Sequence, residues 1–141
     1  MKVAVRYQSR GGNTKAVAEA IAKAAGVTAE PINVPLEEPV DILFVGGGVY
    51  AYTIDTSLKS YLEALNPNTV ASVAAFSTGG YMSVTDKISE VVKAAGINVC
   101  VKALPIRMGI RNYHLLGGKG DVTLSDKQLL SINNFVNSII D

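Results

Sequence analysis

The stretch that most constrains the fold is residues 1–25, in which a short strand turns directly into a helix. Residues 2–7 contain the apolar run Val3, Ala4 and Val5, which suits a strand buried on both faces. The apolar residues after the turn recur at helical spacing and form a face of small side chains: Ala16, Val17, Ala20, Ile21 and Ala24. Such a face can pack closely against a sheet, so the stretch predicts the first strand and helix of an α/β domain.

The turn itself, residues 9–14, has the composition of an anion site. The first N–H groups of a helix have no partners within the helix, and they lie at the positive end of its dipole. Ser9, Asn13 and Thr14 add side-chain donors, while Gly11 and Gly12 let a ligand approach the backbone closely. The alternative is that Asn13 or Thr14 is the N-cap of an ordinary turn. The sequence of the turn does not decide between the two.

Beyond the turn, apolar runs and amphipathic stretches alternate along the chain. Further strands are predicted at residues 27–34, 41–46, 72–76 and 98–104, and further helices at residues 57–65, 84–95 and 124–140. Residues 35–39 are too short and too rich in proline for a proper helix, so the second helix is expected to be short or missing. This alternation predicts one domain over residues 1–141, with a parallel sheet and helices on both faces.

Three of the predicted loops stand out, and all three follow strands. They are residues 9–14, 46–55 and 77–81, and each is rich in Gly, hydroxyl groups or Tyr. Sheets of this kind bind ligands beyond the carboxyl ends of their strands. The three loops are therefore expected to form the rim of one pocket.

The turn resembles the phosphate loop of the flavodoxin family, Ser/Thr-x-Thr-Gly-Asn-Thr after the first strand. Ser9, Gly12, Asn13 and Thr14 match this pattern, and Gly11 stands where the family usually has Thr. The resemblance implies a flavodoxin-like three-layer sandwich whose five-stranded parallel sheet has the order 2-1-3-4-5. It also implies non-covalent binding of FMN, with each of the three loops contacting the cofactor.

The resemblance assigns residues to the parts of the cofactor. The phosphate would be bound by Ser9, Arg10, Gly11, Gly12, Asn13 and Thr14. One side of the isoalloxazine ring would be lined by Gly48, Val49, Tyr50 and Ala51, and the other by Ser77, Thr78, Gly79, Gly80 and Tyr81. Tyr50 or Tyr81 would suit stacking on the ring. No catalytic residue and no metal-ligand set is predicted.

Charge and cysteine content limit the classes of partner and the location that we expect for the protein. Net charge is +1, from 13 basic and 12 acidic residues without a basic run, so nucleic acid is not an expected partner. The single cysteine, Cys100, allows no internal disulfide, and no apolar run approaches the length of a membrane span, so we expect a cytoplasmic protein. The resemblance adds a redox partner protein of unknown identity, and we expect a monomer or weak dimer. Flavodoxins are usually strongly acidic, so the near-neutral charge of this chain predicts docking that depends less on acidic patches, and hence less on salt, than is usual for the family.

The function predicted first is that of an electron carrier that binds FMN and shuttles electrons to a partner protein. A second possibility is an FMN-dependent NAD(P)H:quinone-type oxidoreductase, which would need another pocket above the flavin. A third is a binding module of the same fold that has lost FMN. The loop of residues 109–121, with Arg111, Tyr113, His114 and Lys119, is expected to be a solvated loop, and the alternatives are part of the rim or a partner face.

Overall fold

The computed structural model describes residues 1–49, 53–79, 84–108 and 122–140. Its strands are β1 (Val3–Gln8), β2 (Ala29–Pro31), β3 (Val40–Gly48), β4 (Val70–Gly79), β5 (Asn98–Val99) and β6 (Leu104–Arg107). Its helices are α1 (Asn13–Ala25), α2 (Thr56–Glu63), α3 (Thr85–Ala94) and α4 (Asp126–Ile140). No helix in these ranges is long and apolar enough to cross a membrane.

The strands form one parallel sheet in the order β2-β1-β3-β4-β5, which confirms the predicted order. The predicted fifth strand, however, is divided in two. β5 pairs with Ser72 and Val73 near the start of β4, and β6 pairs with residues 76–79 at its end. The chain between the two segments leaves the sheet, where Val101 is fully exposed. The predicted strand at residues 98–104 was thus correctly expected to pair with β4, but its interruption was not expected.

No helix lies between β2 and β3, as the sequence predicted. Arg6, only 7% exposed, stabilises this short crossover through its guanidinium group. Its Nε donates to the carbonyl oxygen of Val34 at 2.9 Å, and its Nη2 donates to that of Pro35 at 3.1 Å. The buried guanidinium needs such acceptors, because a buried polar group without a hydrogen bond costs about 1–3 kcal/mol. The Arg6 side chain therefore helps to fix the path of a crossover that contains no helix.

Two apolar cores lie on the two faces of the sheet. One contains Phe44 and Phe76 and is covered by α1 and α4, where the ring of Phe44 meets the edge of Phe135 at a centroid distance of 5.8 Å. The other contains Leu43 and Val45 and is covered by α2 and α3. Successive β3 residues alternate between the cores, as expected of a strand buried on both faces.

Glycines close β3 because neighbouring groups occupy the space of a side chain. A Cβ on Gly46 would overlap the carbonyl oxygen and the ring of Phe76, and a Cβ on Gly47 would lie 2.7 Å from Cδ2 of Leu58. β4 and α2 therefore pack directly against the backbone at the carboxyl end of β3. This packing holds together the edge at which the candidate site lies.

Candidate functional site

The carboxyl ends of β1, β3 and β4 meet at one cavity of about 230 Å³. Eight residues assigned to the cofactor from the sequence line it: Ser9, Gly11, Asn13, Thr14, Gly48, Val49, Thr78 and Gly79. No charged side chain is among them. The cavity is smaller than the roughly 300–1,000 Å³ of complete small-molecule sites. The adjoining segments 50–52 and 80–83 lie outside the described residues.

The turn between β1 and α1 is shaped by Gly12. Its φ of 93° is in the left-handed region, which glycine adopts without strain. Its N–H donates to Oγ of Ser9 at 3.1 Å, and its carbonyl oxygen accepts from the N–H of Ala16 at 3.0 Å. Gly12 is therefore the N-cap, and no side chain caps the helix. The alternative of an N-cap at Asn13 or Thr14 is wrong.

Asn13 carries a buried polar atom that nothing in the described residues satisfies. Its Oδ1 has no hydrogen-bond partner, and the residue lines the cavity. Buried polar groups nearly always have partners, so an unpaired one at a cavity points to a ligand. Rotating the amide exchanges Oδ1 for the donor Nδ2. In the rotated orientation Nδ2 can donate to a phosphate oxygen, which fits a phosphate-bearing cofactor.

Thr14 and Thr78 join two of the three loops. Their hydroxyl oxygens lie 2.7 Å apart, and the two residues are only 2% and 4% exposed. Either hydroxyl can be the donor in this hydrogen bond. Where Thr78 donates, the proton of Thr14 remains available to the cavity. The turn of residues 9–14 and the end of β4 are therefore coupled through one buried contact.

Arg10 lies beside the cavity but does not line it. Its Nη2 lies 2.6 Å from Oδ2 of Asp55, and its Nε donates to the same oxygen at 3.1 Å. The structure pairs the guanidinium of Arg10 with this carboxylate, and the phosphate contact that the sequence predicted for Arg10 stays a prediction. The hydrogen bonds from Arg10 hold the pKa of Asp55 below its ordinary value, although burial opposes them.

Asp55 is the residue that the sequence interpretation missed. Oδ1 of Asp55 also accepts from the N–H of Ser57 at 2.7 Å, so the residue is the N-cap of α2. An Asp directly before Thr56 and Ser57 at a helix start is a recognisable capping signal. The ion pair could not be found in this way, because Arg10 lies 45 positions away in the sequence.

The remaining predicted site residues lie elsewhere or outside the described ranges. Ser77 is buried below the cavity, where its Oγ accepts from the N–H of Val84 at 3.4 Å. Gly12 shapes the turn without lining the cavity. Tyr50, Ala51, Gly80 and Tyr81 are not among the described residues, and neither is the loop of residues 109–121.

Solved structures share this fold at low sequence identity. A flavodoxin, WrbA-like protein from Agrobacterium tumefaciens has a TM-score of 0.68 and 14% identity over 98% of this chain and 97% of its own. A two-electron reduced flavodoxin from Megasphaera elsdenii has a TM-score of 0.62 and 16% identity over 96% and 98%. Rubredoxin oxygen:oxidoreductase from Desulfovibrio gigas has a TM-score of 0.67 and 15% identity over 98% of this chain.

These likenesses establish the fold. The chain is a flavodoxin-fold domain, and its structural neighbours are flavodoxin-like flavoproteins. It spans about a third of the length of the Desulfovibrio protein, since it covers 35% of that chain. No protein-family model matches the sequence, and no curated protein matches it.

Proposed function

We propose that the protein binds FMN without a covalent bond and transfers electrons to a partner protein. The observation that carries this proposal is the cavity at the carboxyl ends of β1, β3 and β4, whose lining includes Asn13, a residue with a buried amide oxygen that has no partner among the described residues. In sheets of this order, ligands bind at that position, where the strand order reverses. The similar flavoproteins support the same cofactor class.

In this proposal the turn binds the phosphate of FMN. The N–H groups of the first α1 turn and the side chains of Ser9, Asn13 and Thr14 supply neutral donors, and the helix dipole favours the negative charge. Val49, Thr78 and Gly79 would lie along the rest of the cofactor. When bound, FMN supplies one- or two-electron transfer, and the protein contributes orientation and electrostatics.

A carrier fits the cavity better than a stand-alone enzyme does. Among the described residues, those that line the cavity include no acid, base or nucleophilic thiol that could act on a substrate. The flavin alone would then carry the chemistry, and a partner protein would supply or remove electrons. Cytoplasmic location and a monomeric or weakly dimeric state belong to the same proposal.

The proposal is tested by titrating the protein with FMN and with riboflavin, which lacks the phosphate, and measuring bound ligand by ultrafiltration. Asn13→Ala should weaken the affinity for FMN about tenfold or more, because hydrogen bonds to charged groups contribute about 1.5–3 kcal/mol. The affinity for riboflavin should fall much less. The matched control is Asn133→Ala at an exposed position on α4, which should change neither affinity.

Three results would count against the proposed function. Absence of FMN binding would leave only a binding module of this fold. Equal losses for FMN and riboflavin in Asn13→Ala would mean that the turn does not hold the phosphate. Sustained NADPH consumption with a quinone would favour an oxidoreductase over a carrier.

A further inference from the structure

Each of the four helices carries an exposed lysine in its first turn. These residues are Lys15 in α1, Lys59 in α2, Lys87 in α3 and Lys127 in α4, and we refer to them as the basic ring. This is the unfavourable end of a helix for a cation, because the dipole there is positive. The first turns of α1 and α2 contain no acidic residue to offset it.

The topology brings the four lysines to one edge of the molecule. β1, β3, β4 and β6 are parallel, and each is followed by one of the four helices, so every helix begins at the carboxyl edge of the sheet. Side chains on a helix lean towards its N-terminus, which directs these lysines further towards that edge. The basic ring therefore lies at the same edge of the sheet as the cavity, although none of its members is among the residues that line it.

The charge around the cavity is not balanced within the described residues. Basic residues at this edge are Arg10, Lys15, Lys59, Lys87, Arg107 and Lys127, whereas acidic ones are Asp55, Asp86 and Asp126. Over the rest of the described chain the excess is reversed, with acidic residues such as Glu37, Glu38, Asp41, Glu63 and Glu90 outnumbering the exposed lysines. Within the described residues, the cavity edge thus carries an excess of positive charge and the rest of the chain an excess of negative charge.

Internal ion pairs do not explain the basic ring. Lys15 and Glu19, and likewise Lys59 and Glu63, stand four positions apart on their helices, a spacing that permits pairing. The ion pairs found within the described ranges are instead Lys2 with Glu38 and Arg10 with Asp55. The four ammonium groups of the ring remain exposed to solvent.

We propose that the basic ring is the docking surface for an acidic protein that exchanges electrons with the cofactor in the cavity. This inference rests on the proposed function, since the ring lies at the edge at which the flavin would lie. Opposite charges on two partners steer their encounter and bring that edge towards the partner's redox centre. Because the ring lies outside the cavity lining, holding the FMN phosphate does not account for it.

The test compares two electron acceptors that differ mainly in surface charge, native cytochrome c, which is basic, and succinylated cytochrome c, which is acidic. The reduced, FMN-loaded protein should react with the succinylated form about tenfold or more faster at low ionic strength. That rate should fall as the ionic strength rises from about 10 mM to about 300 mM, and the rate with native cytochrome c should rise. The proposal would be overturned if the rate with succinylated cytochrome c rose with ionic strength and the rate with native cytochrome c fell.

Two variants of equal net charge test which lysines cause the faster reaction with succinylated cytochrome c. The ring variant is K15Q/K59Q/K87Q/K127Q, and the control variant is K2Q/K23Q/K93Q/K102Q, whose lysines lie towards the opposite edge. The ring variant should lose most of the rate advantage with succinylated cytochrome c, while the control should keep it. Equal losses in both variants would show that overall charge matters rather than the ring.

A second measurement separates this inference from the proposed function. The FMN-free protein is applied to immobilised poly-glutamate and eluted with salt, and the ring variant should elute earlier than the control variant. Failure to bind FMN would then contradict the proposed function alone. Simultaneous elution of the two variants would contradict the docking surface, and so would tighter retention of the protein on immobilised RNA than on poly-glutamate.

Discussion

At the residue scale, the buried hydroxyl pair of Thr14 and Thr78 offers a sharp test of the site's construction. Thr78→Val removes one partner and leaves the other hydroxyl buried without a hydrogen bond, which should lower the free energy of unfolding by about 1–3 kcal/mol. Thr14→Val/Thr78→Val removes both hydroxyls and should regain much of that loss. Urea unfolding of the single and double variants measures the difference, and simple additivity would mean that the pair is not coupled.

Asp55 combines two roles that substitution can separate. Asp55→Asn keeps an N-cap for α2 and loses the ion pair, whereas Asp55→Ala loses both. Because the pKa of Asp55 is lowered in the folded protein, its contribution is present above the ordinary pKa and is lost as pH falls through the folded value.

The unfolding free energy of the wild type should therefore exceed that of Asp55→Asn at pH 7, and the gap should narrow below about pH 4. Urea unfolding at the two pH values measures the gap. A gap that stays constant with pH would show that the carboxylate charge contributes nothing. Asp55→Ala should be less stable than Asp55→Asn by about 0.5–2 kcal/mol at both pH values, since it alone lacks the cap.

At the element scale, the carboxyl end of β3 depends on the absence of a side chain. Gly46→Ala would place a methyl group against the backbone oxygen of Phe76, which cannot move away without disturbing the sheet. We expect this variant to lose about 1–3 kcal/mol or more of unfolding free energy. Gly11→Ala is the matched control, because nothing lies within 4 Å of the added methyl group there. Equal thermal stability of the two variants would contradict this packing.

The first-turn lysines make a prediction about helix stability that is independent of any partner. Removing them in the ring variant should raise the free energy of unfolding by roughly 1 kcal/mol in total at low salt, because each opposes its helix dipole. The control variant should be destabilised instead, since it removes Lys23 and Lys93 from the last turns of α1 and α3, where cations are favourable. Urea unfolding at low and high salt measures both effects, and high salt should diminish them.

At the scale of the whole molecule, the elements and their order were predictable from the sequence. Periodicity placed α2, α3 and α4 within one or two residues of their observed ends, because each has one apolar face. The interruption after β5 and the shortness of β2 were not predictable, since apolar content does not report which backbone groups pair.

The candidate site was predictable in part for the same reason. The three loops could be assigned to one edge of the sheet, because parallel strands carry their carboxyl ends to the same side. Contacts between distant residues could not be assigned, and both Arg10 with Asp55 and Thr14 with Thr78 are of this kind. Net charge does not reveal how charge is distributed in space, so the docking expectation drawn from it stays a prediction.

The divided fifth strand also has a practical consequence for protein engineering. Val101 is fully exposed and belongs to a short excursion between β5 and β6, so a peptide or a fluorophore could be attached there without entering either core. β5 pairs near the start of β4, and the cavity lies at the end of β4. A reporter at position 101 would therefore leave the cavity edge of the sheet free while marking the molecule's orientation on a surface or electrode.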